Sequence, residues 1–587
     1  MNEDYSIILE DVTFTYEGSK KPTIKNVNLK IKRGEIVSIL GKTGAGKSTL
    51  IYIIGGIIPN YIHGDLSGDV IIEGLNTREY SLYEIAQHVG VVMDDPEAHI
   101  VSSTVWEDVA FGPCNLGLPR DEVYERMMFA LEATRLTELK ERNPYNLSGG
   151  EKQSLAIAGI LAMRPKILAL DEPTSMLDPL GRRRVYEVLK DLNRKFGITI
   201  ILSGHDIEVI VGLADRIVVM NEGELILDGP LSKVLQETES LKKAGVRLPE
   251  VTRLMALLKE KGVWKGSLPM TLEEAYNYLA KVFTRKKVLF KPYQPKKEKL
   301  VKPTATEPII KIRRLRHTYP NGVEALKGID LDIYPGEYVA FIGQNGSGKT
   351  TLARHIAGLL KPTNKEAEIL VASLDIRKAR MREIVRKVGY VFQIPEHQIF
   401  HSITREEIEF GLKNLEFPKN EIDRKVNEIL KMLGLEEFEE EWPLSLDRGK
   451  RFRIALGSIL AIDPEVIIVD EPTTGQDWRE SLYICKILKK LNQRGKTVVI
   501  ITHEMDLVAA FATRVIVLCK GRILLDGTPR EVFSKPEILE KTWVQPPQIT
   551  RLSQKLSKLC AIPTMLTVDE MYDYLVENLK EVEMTWF

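Results

Sequence analysis

The apolar and polar positions of this chain fall into a recurring order. The run Ile36-Val-Ser-Ile-Leu40 has the length and β-branched content of a fully buried strand. A polar, glycine-rich stretch follows, and then a second apolar run, Leu50-Ile-Tyr-Ile-Ile54, that can begin a helix. Upstream, the alternation of Ile7-Ile-Leu-Glu-Asp-Val-Thr-Phe-Thr-Tyr16 predicts a half-buried strand, and Val27-Asn-Leu-Lys-Ile31 predicts another. Downstream, buried strands are predicted at Val89–Met93, Ile167–Leu170, Ile198–Leu202 and Arg216–Met220. Helical segments lie between them, among them Asp121 to Leu139 and Leu180 to Lys195. Strands alternating with helices predict an α/β fold built on a parallel sheet covered on both faces.

From about Pro308 the same order returns. Ile309–Tyr319 mirrors the opening strand, Leu326–Ile333 the second strand, and Val388-Gly-Tyr-Val-Phe392 mirrors Val89-Gly-Val-Val-Met93. The offset stays near 300 residues, which predicts duplication of a whole domain. The tails match as well. Leu248-Pro-Glu-Val-Thr-Arg-Leu254 pairs with Pro546-Pro-Gln-Ile-Thr-Arg-Leu552, and Leu268–Leu279 with Met565–Leu575. Each tail reads as two short helices, the second capped by Thr271 or Thr567. The predicted organisation is a first domain over 1–235, its helical extension over 236–284, a Lys/Pro-rich extended linker over 285–307, a second domain over 308–535 and its helical extension over 536–587. A basic arm for nucleic acid or lipid is the alternative reading of the linker.

Composition narrows the class. At 587 residues the chain holds about three to four domain-sized units. Lys+Arg and Asp+Glu each number 82, so the net charge is zero and nothing overall favours nucleic acid. No stretch approaches the ~18 uninterrupted apolar residues of a membrane span, and the start, Met1-Asn-Glu-Asp-Tyr5, lacks a signal-peptide core. Cys114, Cys485, Cys519 and Cys560 are scattered, without the spacing of a metal site, and read as ordinary reduced cysteines of a cytosolic protein.

The candidate chemistry starts at the glycine-rich stretch. Gly41, Lys42, Thr43, Gly44, Ala45, Gly46, Lys47, Ser48 and Thr49 fit the phosphate-binding pattern GxxxxGK[ST], in the strand–loop–helix setting it requires. Glycines let backbone N–H groups turn inward on a phosphate, and the helix N-terminus adds a favourable dipole. Lys47 places a charge on the β/γ-phosphates, and the Ser48 hydroxyl can ligate Mg²⁺. The second copy is Gly343, Gln344, Asn345, Gly346, Ser347, Gly348, Lys349, Thr350 and Thr351. Asp171 and Glu172 end the run Ile167–Leu170, and Asp470 and Glu471 end Val466–Val469. The aspartate is placed to hold Mg²⁺ and the glutamate to polarise an attacking water. About 33 residues beyond each pair stand His205 and His503. A lone strand-end histidine is commonly structural; the repeated spacing favours a γ-phosphate contact.

Leu147-Ser148-Gly149-Gly150-Glu151-Lys152-Gln153 opens a predicted helix with two glycines whose amides can face an anion. Together with the phosphate loops, the Asp-Glu strand ends, Asp178 and Asp477 just beyond, and the two histidines, it resembles the ATP-binding-cassette ATPases over nearly the whole chain. The resemblance implies two P-loop cassettes pairing head to tail within one chain. Each ATP would lie between one cassette's phosphate loop and the other's signature, with Tyr16 and Tyr319 stacked on adenine; packing within their own domains is the alternative reading of both tyrosines. The stretch Thr104–Pro119, with Phe111-Gly-Pro113, and its outline at Ile403–Pro418 are similar to the cobalt/energy-coupling-factor importers of vitamins and metal ions, as are the paired helical tails. The loop expected over Gly55–Gly68 is similar to that of fused ATPases for thiamine-precursor uptake.

The halves also differ. Gln393 stands where the family has its Q-loop glutamine, a Mg²⁺ contact; its counterpart in the first half is Asp94. Leu444-Ser445-Leu446-Asp447-Arg448, set against Leu147–Glu151, makes Ser445 the second signature serine, with Leu446 and Asp447 replacing both glycines. The expectation is one hydrolytically competent composite site, built on Gln393, Glu471, His503 and Ser148–Glu151, and one impaired site built on Asp94, Glu172, His205 and the altered signature. The resemblance implies an ATP- and Mg²⁺-dependent ATPase, peripheral on the cytoplasmic face of the cell membrane. It would serve a separate transmembrane coupling component and a substrate-binding membrane component, received beside Asp94–His99 and Gln393–Gln398. A soluble tandem factor acting on ribosomes or DNA is the alternative from another class, and a fused sugar-importer ATPase is the nearer one.

Overall fold

The computed structural model describes residues 4–175, 177–205, 207–286, 307–560 and 562–579. By internal contacts the chain divides into two units, Met1–Thr252 with Ser267–Thr271, and Arg253–Gly266 with Leu272–Phe587. The linker expected over 285–307 lies almost wholly outside the described residues.

The first unit holds two sheets. Strands β1 (Tyr5–Tyr16), β2 (Ile24–Lys32), β4 (Gly64–Ile72) and β5 (Leu75–Asn76) form an antiparallel sheet in the order β2-β1-β4-β5. Strands β3 (Ile36–Leu40), β6 (Val89–Val92), β7 (Ile167–Leu170), β8 (Thr199–Gly204), β9 (Arg216–Asn221) and β10 (Glu224–Pro230) form the second, in the order β10-β9-β3-β8-β7-β6. All its pairs are parallel except β9 with β10. Strand β3 is buried throughout and divides the core. Val37 and Ile39 pack with the antiparallel sheet and helix α1 (Lys47–Ile54), while Ile36 and Leu40 pack on the other face. That second face is covered by helices including α2 (Val105–Asn115), α3 (Arg120–Ala133), α4 (Gly149–Leu161) and α5 (Pro179–Phe196). A strand buried on both faces is apolar at nearly every position, with the small Ser38 as the exception in β3, which is why it reads as a run rather than an alternation.

The helix expected from Asp121 to Leu139 is interrupted. Helix α3 ends at Ala133, Arg135 takes a left-handed φ of 62°, and a 3₁₀ turn covers Thr137–Leu139. The stretch Gly55–Gly68 is not all loop, since β4 starts at Gly64.

The second unit repeats the plan. Helices α6 (Glu250–Glu260), which starts in the first unit, and α7 (Leu272–Lys286) come first. Then follow strands β11 (Ile310–Thr318), β12 (Glu324–Ile333), β13 (Tyr338–Ile342), β14 (Glu368–Val371), β15 (Leu374–Asp375), β16 (Val388–Val391), β17 (Val466–Asp470), β18 (Thr497–Ile501), β19 (Arg514–Cys519) and β20 (Arg522–Gly527). They build sheets β12-β11-β14-β15 and β16-β17-β18-β13-β19-β20. Helices α8 (Lys349–Ile356), α9 (Thr404–Asn414), α10 (Lys419–Leu433), α11 (Arg448–Leu460) and α12 (Trp478–Gln493) match α1 to α5 in order.

Two further helices, α13 (Gln548–Ser557) and α14 (Val568–Leu579), form the second tail. Inside the second unit α7 packs on α13, where Lys555 pairs with Glu273 and lies 4.9 Å from the Tyr276 ring centre. The tails share one internal staple. Thr252 donates a 2.6 Å hydrogen bond to the Pro269 carbonyl, and Thr550 donates one of 2.7 Å to the Met565 carbonyl. Thr567 caps α14 by accepting from the Glu570 amide at 3.2 Å. Helix α7 follows Thr271 directly and runs past residue 284 to Lys286.

Candidate active site

Each phosphate-binding loop leaves the carboxyl end of the central strand, β3 or β13, where the sheet order places later strands on both sides. Such an edge is where open α/β sheets bind ligands. The glycines are there because nothing else fits. A Cβ on Gly41 would lie 2.5 Å from the Met220 carbonyl oxygen, and one on Gly343 would lie 2.2 Å from that of Leu518. Gly46 and Gly348 have φ of 100° and 103° and cap α1 and α8 in the left-handed conformation that favours glycine. The lysines fold back over their loops. Lys47 Nζ donates to the Gly41 carbonyl at 2.9 Å and Lys349 Nζ to that of Gly343 at 2.7 Å, both from buried side chains. Each loop therefore offers a cradle of backbone amides with one ammonium group beside it, an arrangement that receives polyphosphate.

Ser48 and Thr350 open their helices beside the buried carboxylates Asp171 and Asp470, each 2% exposed. Thr350 Oγ1 lies 3.3 Å from Asp470 Oδ1, and Ser48 hydrogen-bonds Asp171. A hydroxyl and a carboxylate converging at the phosphate cradle are hard oxygen donors of the kind Mg²⁺ takes. Burial pushes both aspartates up, against the hydrogen bonds they accept; Asp171 is raised further by Glu172 and Asp94. Sequence reasoning missed the groups that hold these carboxylates. Ser203 donates to Asp171 at 2.5 Å and Tyr390 to Asp470 at 2.7 Å. Both sit on strands next to the acid-bearing strand, a pairing visible only once strand order is known.

Glu172 and Glu471 occupy the same strained backbone position, with φ of 43° and 48°. Their surroundings differ. Burial would raise Glu172, but the hydrogen bonds and charges of His205 and Lys47 outweigh it and hold its carboxyl at about 2. Lys47 Nζ is 3.4 Å and His205 Nδ1 is 3.7 Å from Glu172 Oε1. Glu471 is pushed up by burial, and by the neighbouring Asp470 and Glu504, against the pull of Lys349. His503 Nε2 lies 3.1 Å from Glu471 Oε1 and 3.0 Å from Asn345 Oδ1, so it spans from the acid to the phosphate loop. Both histidines thus meet the expected glutamates.

Tyr16 and Tyr319 reach the same loops. Each hydroxyl is 3.0 Å from the threonine after the loop's Ser/Thr, Thr49 or Thr351, and each ring meets its neighbour, Phe14 or His317, edge-on.

The signature helices correct one expectation. Ser148 caps α4 in a capping box, its amide donating to Glu151 at 2.8 Å. The residue that caps α11 in the same way is Asp447, whose Oδ1 accepts from the Lys450 amide at 2.9 Å. Ser445 lies in the preceding 3₁₀ turn and donates to the Trp442 carbonyl at 2.7 Å. The second signature is thus Leu446-Asp447-Arg448-Gly449, aligned on Leu147-Ser148-Gly149-Gly150. Aspartate replaces the serine, arginine the first glycine, and the second glycine is kept. The pair Leu444-Ser445 lies two positions ahead of the place equivalent to Leu147-Ser148; the equal spacing of Pro144 and Pro443 from their helices gives the register. The Arg448 guanidinium lies against Gly475, where a Cβ would come within 2.8 Å of it.

Asp94 and Gln393 follow β6 and β16 at equivalent, exposed positions. Each is anchored five residues later, where His99 accepts from the Met93 amide at 2.9 Å and Gln398 from the Phe392 amide at 3.3 Å.

Glycine cradle, buried lysine, paired hydroxyl and carboxylate, and a strained glutamate on a doubly wound sheet define a P-loop nucleoside triphosphatase, present twice. The family model described as ABC transporter matches residues 24–175 and 326–474, more than half of the chain. The chain belongs to the ABC transporter family, as a tandem ATP-hydrolysing cassette protein. A Methanosarcina mazei chain named as an ABC transporter ATP-binding protein is 40% identical over 99% of this chain and 98% of its own length. One from Caldanaerobacter subterraneus is 38% identical over 97% and 98%. Among solved structures, cbiO1 from Clostridium perfringens, described as part of the ABC transporter complex cbiONQ, is 34% identical, covers 42% of this chain and 99% of its own, and has a TM-score of 0.37. No helix among the described residues is long and apolar enough to cross a membrane.

Proposed function

We propose that the chain is the ATPase subunit of an energy-coupling-factor type importer of a vitamin, vitamin precursor or metal ion. In this reading it is peripheral on the cytoplasmic face of the membrane and works with separate transmembrane coupling and substrate-binding components. The matched tails, with their common threonine staple, support it. So do the apolar side chains left exposed just after the Asp94 and Gln393 segments: Val101, Trp106 and Phe111 in one unit, Phe400 and Phe410 in the other. Exposed apolar patches of this kind mark docking sites. Co-purification tests the reading: membrane proteins support it, whereas ribosomes or nucleic acid alone would replace it with a soluble factor.

In the same reading the cassettes pair head to tail and their two sites are unequal. The observation that carries this is the helix cap at Asp447. A site made of the first phosphate loop and the second signature collects Asp94, a Glu172 already paired with Lys47, and the Asp447–Arg448 pair in place of Ser148–Gly149. A carboxylate there repels the γ-phosphate, and an arginine side chain fills space that bare backbone should line. The other site joins the second phosphate loop, Gln393, Glu471 and His503 to the intact Ser148–Glu151.

Mg²⁺ would be held by Ser48 and Asp171 in one site and by Thr350, Asp470 and Gln393 in the other. There it would supply positive charge to offset that of the phosphates. Tyr16 and Tyr319 stack on adenine, the lysines hold the phosphates, Glu471 accepts a proton from the attacking water, and His503 bonds the γ-phosphate. Steady-state ATPase of two variants decides the asymmetry. Glu471→Gln should nearly abolish turnover and Glu172→Gln should leave much of it; equal losses would refute it.

A further inference from the structure

Three residues past Asp94 and three past Gln393, each unit carries a glutamate. Glu97 lies in the 3₁₀ turn Pro96–His99 and Glu396 in the turn Pro395–His397. Proline opens both turns, where its fixed φ fits and no amide donor is needed. Each turn packs on the helix that opens with its own unit's signature, α4 or α11. Lys152 and Arg451 stand four residues after the caps Ser148 and Asp447, which puts them on the cap's face of the helix, one turn in. Lys152 Nζ lies 2.5 Å from Glu97 Oε1, and Arg451 makes the same pair with Glu396.

The segment around each glutamate is anchored at both ends. His99 and Gln398 fasten it to the strand ends at Met93 and Phe392. A buried carboxylate of the next helix fastens its far end. In α2, Asp108 Oδ1 accepts from the Val101 and Ser102 amides at 2.8 and 3.0 Å. In α9, Glu407 Oε2 accepts from the Phe400 and His401 amides at 3.0 and 2.8 Å. The ion pair sits between these two anchors and joins the segment to the signature helix.

The two halves differ on every side of this pair. Asp94 stands against Gln393, Ser148 against Asp447, Gly149 against Arg448 and Glu151 against Lys450. Acid and cation keep their places through all of these changes. Stability alone gives little reason for that, since Glu97 is 54% exposed and ion pairs at such sites contribute little. Placement of the signature helix does give a reason.

We propose that Glu97 with Lys152, and Glu396 with Arg451, are positioning pairs that lock each signature helix to the turn behind its unit's Asp94 or Gln393, so that the two shift together. The consequence rests on the head-to-tail reading, in which the Asp94 turn belongs to one ATP site and Ser148–Glu151 to the other. The lock then carries occupancy of one site to the signature of the other, which is a coupling between two sites through one rigid element.

The test is hydrogen exchange of the full chain with magnesium and a non-hydrolysable ATP analogue. Lys349→Ala confines the analogue to the first phosphate loop. Exchange should then slow over 94–101 and, through the lock, over 149–155 at the start of α4, by at least about twofold. Adding Glu97→Gln should keep the first response and abolish the second. The swap Glu97→Lys/Lys152→Glu should restore it, and the exposure of Glu97 lets both variants fold. A start of α4 that never responds, that still responds in Glu97→Gln, or that stays silent in the swap would overturn the lock. The start of α11 reports on the pairing separately: silence there refutes the head-to-tail reading, while the α4 result still decides the lock.

Discussion

Tyr390 on β16 donates a 2.7 Å hydrogen bond to Asp470 on β17, whereas in the first unit the donor to Asp171 from a neighbouring strand is Ser203, on the opposite side, β8. The two aspartates are thus held from different sides. Tyr390 is itself buried, so its hydroxyl has a fixed direction. Tyr390→Phe removes that donor from a carboxylate that is 2% exposed and keeps the ring's packing. Partners that orient metal-binding groups are worth about 10–100-fold in affinity or activity. Turnover measured against Mg²⁺ concentration should fall about tenfold in the variant, with saturation moved to higher Mg²⁺. Ser203→Ala should cost less turnover if the first phosphate loop serves the weaker site. An unchanged Mg²⁺ dependence in Tyr390→Phe would remove Tyr390 from the site.

Asp447 caps α11 as Ser148 caps α4, so the second signature can be restored without losing the cap. Burial would raise Asp447, but its hydrogen bonds to Lys450 outweigh this and hold it low, so it carries a full negative charge. Serine and aspartate cap helices about equally well. Asp447→Ser/Arg448→Gly should therefore fold normally and raise ATP turnover by severalfold, an increase that a further Glu172→Gln change should cancel. The readout is the ATPase rate of the double and triple variants, and no gain in the double variant would show that the altered signature does not limit the rate.

Much of this was legible in the sequence, and the reason is chain-local. The phosphate loops need glycine at fixed places because carbonyls of Met220 and Leu518 press on them, and that need survives as a nine-residue pattern. Strands buried on both faces, such as β3 and β17, survive as apolar runs. What failed depended on register or on neighbours brought together by the fold. The register of the second signature is hidden by Leu444-Ser445, a Leu-Ser pair two positions ahead of the one that would align with Leu147-Ser148. Strand β4 was missed because its start, Gly64-Asp-Leu-Ser-Gly68, is largely exposed and polar. The contrast between Glu172 and Glu471 arises from distances to Lys47, His205 and His503, which no spacing encodes.

The threonine staples of the tails predict a local loss of stability. Thr550 is fully buried and its hydroxyl donates to the Met565 carbonyl at 2.7 Å. Thr550→Val keeps the shape and leaves that carbonyl without this donor, at a cost of about 1–3 kcal/mol. Hydrogen exchange should report the loss as faster exchange across α13 and α14, while β13 and β17 keep their protection. Uniformly faster exchange would mean that the tail does not open separately.

His355 gives a pH dependence with a defined sign. It sits in α8, fully buried, its Nδ1 2.7 Å from the Thr351 carbonyl and its ring 4.7 Å from that of His317. Burial holds its imidazole below the usual histidine range, and the neighbouring His317 adds to this against the backbone hydrogen bonds. The folded chain therefore keeps His355 neutral at pH values where the unfolded chain takes up a proton. Its contribution to stability is complete above about pH 6.5 and is lost progressively as pH falls toward the lowered value. The first unit has Ile53 at the matching position of α1, also buried, so isoleucine suits this helix. His355→Ile should unfold with a smaller drop in midpoint between pH 7.5 and 5.5 than the parent chain, followed through the second unit by hydrogen exchange across α8. An identical pH dependence in both chains would place the sensitivity elsewhere.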